Sequence, residues 1–279
     1  MIGRCRPGSN GAWPIIFWRR ARASIASIAR PAACWRRGRF FGVVCRGNEV
    51  FAFLNTAPDE SADSENSGAI VAYARDGDGL ANRRVLVEGL DHNCHQIDYF
   101  DGAFFVVDTL HQRILEYDAR WRPVAAHQLL PPAARDGPGH AHINSIAGDA
   151  DTVRVLLHNF QRGLASEIVE YDRAFRERGR TVLPCSACHD IALLEDGRLL
   201  TCLSPEGRIG IAGGETFPVD QHWTRGLVVG LDEIAVGSSL YGARIGRAFL
   251  PGFVTFLDRG FRHTGRVHVP AAPTQMRAF

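Results

Sequence analysis

Three histidines stand at equal spacing along the chain, His95, His142 and His189, and an arginine follows them at Arg225. Three neutral imidazoles that face a common point can hold a transition metal and leave a coordination position open for water or substrate. A guanidinium beside that point would bind a carboxylate or stabilise developing negative charge. These residue types indicate metal-assisted chemistry on an anionic substrate, provided that the fold brings the four side chains together.

A repeated sequence phrase predicts the strands that would bring these side chains together. Each copy has two short runs of alternating apolar residues around a turn rich in Asp or Gly, which predicts a pair of antiparallel strands. The copies are FFGVVCRGNEVFAFLN from position 40, CHQIDYFDGAFFVVDT from 94, HINSIAGDADTVRVLL from 142, CHDIALLEDGRLLTCL from 188 and WTRGLVVGLDEIAVGS from 223. Two further strands follow the strand pairs, as in IVEYDRA and GRTVLP.

Four short strands per repeat predict an all-β fold, a single β-propeller of five four-stranded blades. Six blades would result if the N-terminal extension contributed one. We assign residues 40–279 to the propeller. A two-sheet sandwich also accounts for alternating strands, but it does not explain why the phrase recurs.

Alignment of the copies predicts which residues face the channel. When Val43, Ile97, Ile146, Ile191 and Leu227 are aligned, equivalent positions two residues earlier hold Phe41, His95, Asn144, His189 and Arg225. Residues two apart on a strand share a face, and His142 lies one further period before Asn144. The predicted metal ligands are His95, His142 and His189. The predicted substrate-binding residues are Asn144, Arg225 and Trp223. The predicted catalytic residues are Arg225, Tyr241 and Arg244.

Zinc is the first choice for a three-His site with an open position, and iron, copper or manganese would also fit such ligands. Two other interpretations of the histidines remain open, a polar pocket without metal and a purely structural role. His92 and His140 could also reach the mouth, although the segments in which they stand predict surface loops.

The first 39 residues differ from the rest of the chain. They are rich in arginine and tryptophan and contain no Asp or Glu, which predicts an irregular extension or a start codon placed too early. No export signal is recognisable and no apolar run is long enough to span a membrane, so we expect a cytoplasmic protein. The remainder carries more acids than bases, which argues against nucleic acid as a partner.

Seven cysteines at irregular spacing do not predict a disulfide framework. Cys185 and Cys188 form a single C-x-x-C pair, and a four-Cys zinc site would need a second pair. We therefore interpret these two cysteines as small residues close to the start of a strand.

The phrases CHDIA, HINSIAG, WTRGL and VGSSLYGAR resemble those of a poorly characterised bacterial β-propeller family, whose members carry HDIA, CHLNGLA and RGLA followed by a VG-S-x-x-R-like stretch. That resemblance implies the fold alone. A looser resemblance connects His95, His142, His189 and Arg225 with peptidyl-hydroxyglycine amidating lyase, a propeller with a three-His zinc and a nearby arginine. Its calcium site and disulfides have no evident counterpart in this sequence.

Together these observations predict a metal-dependent lyase or hydrolase at the propeller mouth, or an enzyme of oxygen chemistry if the metal is iron or copper. Its partner would be a small anionic molecule or a peptide. The alternative is a non-catalytic propeller that binds a peptide or a small acidic ligand.

Overall fold

A computed structural model describes residues 15–18, 39–56, 66–76, 79–134, 137–241, 250–269 and 272–278. The described residues form twenty-two strands and two single-turn 3-10 helices, Phe160–Arg162 and Ser204–Glu206. Twenty of the strands make five four-stranded antiparallel sheets. The five-bladed β-propeller predicted from the repeats is confirmed.

Each sheet follows the chain from its innermost to its outermost strand. The first blade is β2 (Arg39–Arg46), β3 (Glu49–Asn55), β4 (Gly68–Asp76) and β5 (Gly79–Leu90). The second is β6 (Cys94–Phe100), β7 (Ala103–Asp108), β8 (Arg113–Tyr117) and β9 (Pro123–Gln128). The third is β10 (Ile143–Gly148), β11 (Thr152–Leu157), β12 (Glu167–Asp172) and β13 (Glu177–Val182). The fourth is β14 (His189–Leu193), β15 (Leu199–Leu203), β16 (Arg208–Ile211) and β17 (Thr216–Pro218). The fifth is β18 (Trp223–Val229), β19 (Glu233–Ser239), β20 (Gly252–Asp258) and β21 (His263–Val269).

The innermost strands form the ring around the channel. β2 packs against β6, β6 against β10, β10 against β14, and β14 against β18. Between β18 and β2 lies β22 (Gln275–Ala278), which contacts both and pairs in parallel with β1 (Ile15–Trp18). The C-terminal strand therefore fills the position between the fifth blade and the first.

Apolar layers between neighbouring blades form the core. One layer joins blades one and two around Phe51, Phe53 and Phe104, and the next joins blades two and three around Phe105 and Ile143. Similar layers lie between the third and fourth blades and between the fourth and fifth. The second strand of a blade is buried on both faces, as in β3, β7 and β15, because it is covered on either side. The outer strands β9 and β13 alternate between exposed and partly buried residues.

Every inner strand has an irregularity of register at nearly the same place. The antiparallel pairing skips between Phe41 and Val43 in the first blade, and equivalent skips occur in the other four. A β-bulge bends a strand and redirects side chains near its end. The bulges therefore set which side chains of the repeated phrase face the channel.

Among the described residues, no helix has the length and apolar character needed to cross a bilayer.

Candidate functional site

One mouth of the channel collects the polar residues of the repeated phrase. The inner strands begin at this mouth and their antiparallel partners end there, because the two strands of each pair run in opposite directions. His95 and His189 lie at the starts of β6 and β14, and His142 directly precedes β10. His158 directly follows β11, so it reaches the same mouth from a second strand.

Four histidines form a continuous line at this mouth, which we call the imidazole row: His95, His142, His158 and His189. Ring centroids of His95 and His142 are 4.6 Å apart. Those of His142 and His158 are 4.9 Å apart, as are those of His158 and His189. Imidazoles this close cannot all carry a positive charge without strong mutual repulsion. The row therefore cannot be fully protonated, and some of its nitrogens offer lone pairs.

The orientation of His95 is fixed by two hydrogen bonds at one nitrogen. Its Nδ1 lies 2.8 Å from the backbone oxygen of Asn93, which can only accept, so Nδ1 carries the proton. The Thr109 hydroxyl lies 3.0 Å from the same nitrogen and donates its own proton to the carbonyl of Ile143. The lone pair of His95 is thereby on Nε2, which lies 3.1 Å from Nε2 of His142.

This pair fits two ligands of a transition metal. Ligand nitrogens of a tetrahedral zinc lie about 3.3 Å apart, close to the separation seen here, and a backbone acceptor on Nδ1 is the usual second partner of a ligating histidine. Among the described residues, however, no three His, Cys, Asp or Glu side chains are arranged around one point to hold a metal ion. His95 and His142 are paired, and His189 lies at the far end of the row with its Nδ1 2.8 Å from the Ser204 hydroxyl.

The charge of Arg225 reaches the far end of the row. Enclosure of the His189 ring lowers its pKa well below the ordinary 6.5, and the positive charge of Arg225 is the next largest cause. His158 and His95 lower the pKa of His189 further. His189 is therefore a neutral imidazole at pH 7, and it lies within reach of the charge of a guanidinium. This combination suits a general base that acts next to a bound anion.

Two aromatic rings extend the site toward solvent. The Arg225 guanidinium lies 5.7 Å from the Trp223 ring centre, and Trp223 stacks on Tyr241 at 4.4 Å. Tyr241 is 59% exposed, so its ring faces the opening and not the interior. The structure brings the predicted residues Trp223, Arg225 and Tyr241 together. The predicted catalytic Arg244 lies outside the described residues.

Asn144 and Asp190 hold neighbouring blades together beneath the row. The Asn144 side-chain oxygen accepts a hydrogen bond from Ser145 Oγ at 2.7 Å and a longer one from the backbone nitrogen of Asp190 at 3.4 Å. Asp190 in turn accepts from the backbone nitrogen of Gly226 at 2.7 Å. In the second blade, Gln96 accepts from the nitrogen of Ile146 at 2.6 Å. The predicted substrate contact of Asn144 would have to use its amide nitrogen.

Two predicted surface histidines are buried. His92 and His140 are each 2% exposed, although both lie outside the strands. His140 Nε2 donates to the Thr109 carbonyl at 2.9 Å, which steadies the hydroxyl that positions His95. The prediction that these residues lie on surface loops is wrong.

His158 is the member of the row that the alignment does not predict. It stands just after the second strand of its blade, whereas the aligned positions lie on the inner strands. A signal was present, since VVDT, LLHN, CLSP and GSSL end their strands in the same way and bring a polar residue to the same mouth.

Comparisons with known proteins identify the fold. No protein-family model matches the sequence, and neither does any curated protein. Among solved structures, virginiamycin B lyase from Staphylococcus aureus is 14% identical with a TM-score of 0.55, covering 86% of this chain and 73% of that one. A protein provisionally assigned as a gluconolactonase is 13% identical with a TM-score of 0.57, covering 85% of this chain and 80% of that one. A protein of unknown function from Bacteroides caccae is 14% identical with a TM-score of 0.56, covering 83% and 82%. At these identities the similarity is one of architecture, and the solved propellers that share it include enzymes.

Proposed function

We propose that this protein is an enzyme that binds an anionic substrate at the channel mouth and acts on it by elimination or hydrolysis. The observation that carries the proposal is the imidazole row, which ends at a neutral His189 next to the charge of Arg225. A structural role requires no line of four adjacent imidazoles, whereas proton transfer benefits from several. The neighbours named as a lyase and as a gluconolactonase support an enzymatic role for a propeller of this shape.

The proposed chemistry follows from the two ends of the row. Arg225 binds a carboxylate and stabilises the negative charge that develops when a proton is removed next to it. His189 is unprotonated at neutral pH and accepts that proton, or the proton of an attacking water. His142 and His158 lie between this base and His95, and provide further imidazoles that can return a proton to the leaving group.

The aromatic pair beside Arg225 defines the rest of the substrate. Trp223 and Tyr241 present a stacked, partly exposed surface next to the guanidinium. Exposed apolar side chains occur at the same mouth after β11 and β19, at Phe160 and Leu240. A carboxylate with an aromatic or apolar group close to it would contact both features at once. A peptide with an acidic end belongs to this class.

A divalent transition metal, zinc first, is the cofactor that we propose for His95 and His142. When bound, it would polarise a substrate oxygen or a water. The third ligand has to come from a neighbouring imidazole by rotation of a side chain, because the row as it stands offers a pair. The roles of Arg225 and His189 described above do not depend on the metal.

The test uses a panel of carboxylates with a leaving group at the β position, together with esters and lactones that carry a carboxylate. Elimination is followed by the absorbance of the new double bond, and hydrolysis by proton release. His189→Gln should lower kcat at least about a hundredfold, as loss of a general base does. Arg225→Gln should lower kcat/KM by a similar factor. The exposed residues His263 and Arg120 provide the controls His263→Gln and Arg120→Gln, which should match the wild type.

Turnover that survives both His189→Gln and Arg225→Gln would contradict the proposal. The non-catalytic alternative is favoured by one observation, since Trp223, Tyr241 and Arg225 suffice to bind an acidic ligand without proton transfer. It predicts a different result: binding of panel members that Arg225→Gln abolishes and His189→Gln leaves unchanged, with no product formed.

A further inference from the structure

The C-x-x-C pair lies in the segment that leads into the fourth blade. Cys185 and Cys188 are both free, and their sulfur atoms are 3.6 Å apart. The Cys188 thiol also lies 3.4 Å from the backbone oxygen of Cys185. Cys185 is partly exposed and Cys188 is fully buried, so only the first is open to a reagent in solution.

Backbone contacts connect this segment directly to the imidazole row. The Ala187 nitrogen donates to the His158 carbonyl at 3.0 Å. Ser166 Oγ donates to the same carbonyl at 2.8 Å and accepts from the Cys188 nitrogen at 3.1 Å. Cys188 immediately precedes His189, the first residue of β14. One short segment therefore positions two of the four imidazoles.

We propose that Cys185 and Cys188 form a reversible disulfide that changes the positions of His158 and His189. The oxidant is a low-molecular-mass disulfide such as oxidised glutathione. The Cys185 thiolate attacks one of its sulfurs, forms a mixed disulfide and releases one thiolate. Cys188 then loses its proton and attacks the mixed disulfide at Cys185, which forms the internal bond and releases the second thiolate. Two protein thiols are oxidised and one small disulfide is reduced to two thiols.

Formation of the bond must bring the two sulfur atoms closer together. A disulfide holds its sulfurs about 2.05 Å apart, so these two atoms have to approach by roughly 1.5 Å. Ala187 stands between the cysteines with a φ of 60°, in the left-handed region where a residue with a side chain is strained. Any adjustment of this turn acts on the Ala187 hydrogen bond to His158 and on the backbone of His189. The oxidised and reduced proteins should therefore differ at the row.

The Cys185 thiol differs from that of a highly reactive site, in which the thiol pKa is lowered. The hydrogen bond with Cys188 raises the pKa of the Cys185 thiol, and burial and the nearby Glu206 raise it further. Exchange should thus be slow at neutral pH, because the thiolate is the attacking species. This property suits a bond that responds to a sustained change in redox conditions.

The experiment uses the full chain with Cys5 and Cys34 replaced by serine, equilibrated in glutathione mixtures from fully reduced to fully oxidised. Peptide mapping by mass spectrometry identifies the bond, and NMR follows the ring signals of the histidines. We expect a Cys185–Cys188 disulfide that dithiothreitol reverses. The ring signals of His158 and His189 should shift with it, while the signal of the exposed His263 stays in place.

Two variants make the assignment specific. Cys185→Ser should abolish the oxidation and keep the ring signals constant in every mixture. Cys45→Ser, at a partly buried free cysteine of the first blade, should behave like the parent. The proposal is overturned if both thiols remain reduced in fully oxidised glutathione, or if the bond forms and the two ring signals do not move. Neither readout requires a substrate, so this test is independent of the proposed enzymatic function.

Discussion

At the scale of single residues, the protonation of His189 is governed by its surroundings. Enclosure in the channel and the Arg225 charge both disfavour the imidazolium, which places the pKa well below 6.5. An NMR titration of the ring should show a midpoint below 6.5, and Arg225→Gln should raise it. Arg120→Gln, on the exposed surface, should leave it in place. A midpoint at or above 6.5 in the wild type would contradict the proposed neutral base.

The lowered pKa of His189 also affects how the stability of the protein depends on pH. Because the folded pKa of His189 is lower than the unfolded pKa, the unfolded chain binds the proton first as pH falls. The free energy of unfolding should therefore decrease as pH drops below 6.5, until the folded ring is protonated too. His189→Gln should flatten this part of the profile in urea denaturation between pH 7 and pH 5. An unchanged profile would show that the ring is not shielded from protonation.

Asp190 is a second residue whose charge is disfavoured by burial, which raises its pKa above 3.8. Its oxygens accept from the Gly226 nitrogen and from Gln275, whose own side-chain oxygen has no hydrogen-bond partner among the described residues. Asn in this place keeps an acceptor for Gly226, and its amide nitrogen can donate to the Gln275 side-chain oxygen once the Gln275 amide turns over.

We therefore expect Asp190→Asn to be as stable as the wild type or more stable at pH 7. Asp190→Ala should lose about 1–3 kcal/mol, since it leaves a buried N–H unsatisfied. The advantage of Asn over Asp should shrink as pH falls through the raised pKa and Asp190 becomes neutral. Urea denaturation at several pH values measures both effects. Equal losses in the two variants would show that the carboxylate charge itself is needed.

At the scale of elements, the inner strands β2 and β6 approach each other so closely that position 42 has no room for a side chain. A Cβ on Gly42 would lie 2.5 Å from the Ile97 nitrogen and 2.7 Å from the Gln96 Cα. Gly42→Ala should therefore separate β2 from β6, with a loss of at least about 1–3 kcal/mol. Gly179→Ala, on the outer strand β13 where a Cβ meets nothing within 4 Å, is the matched control and should change stability little. Chemical denaturation of the two variants tests this close contact, and equal stability would contradict it.

The elements themselves could be read from the sequence. The repeated phrases begin within one residue of the observed inner strands, because a two-residue alternation and an Asp or Gly turn are local properties. In four blades the aligned residue is the one at which pairing resumes after the bulge, namely Val43, Ile97, Ile191 and Leu227. In the third blade pairing resumes one residue earlier, at Ser145. Periodicity does not reveal the bulges, since one extra residue in a strand leaves the surrounding pattern intact.

The site could be predicted only in part from the sequence, because the positions of its side chains also depend on tertiary packing. A ring of strands brings His95, His189 and Arg225 to one mouth, as the alignment predicted. Two things depend on tertiary packing, the burial of His92 and His140 and the insertion of His158 between two predicted ligands. The assignment of metal ligands remains a prediction, because ring orientation depends on partners such as Asn93 and Thr109 that no spacing rule identifies.

At the scale of the whole molecule, the ring is closed by a strand that belongs to no blade. Met276 of β22 is 2% exposed and packs with Val228 and Phe256 of the fifth blade, while β22 also contacts β2. If closure stabilises all five blades together, Met276→Ala should lower the free energy of global unfolding by about 2–5 kcal/mol, as for other large apolar side chains. Val182→Ala, at a 63% exposed position, should change it by less than about 0.5 kcal/mol. The alternative is that the five blades hold together without β22. In that case the Met276→Ala variant would show faster hydrogen exchange only in residues 272–278, with the free energy of global unfolding unchanged.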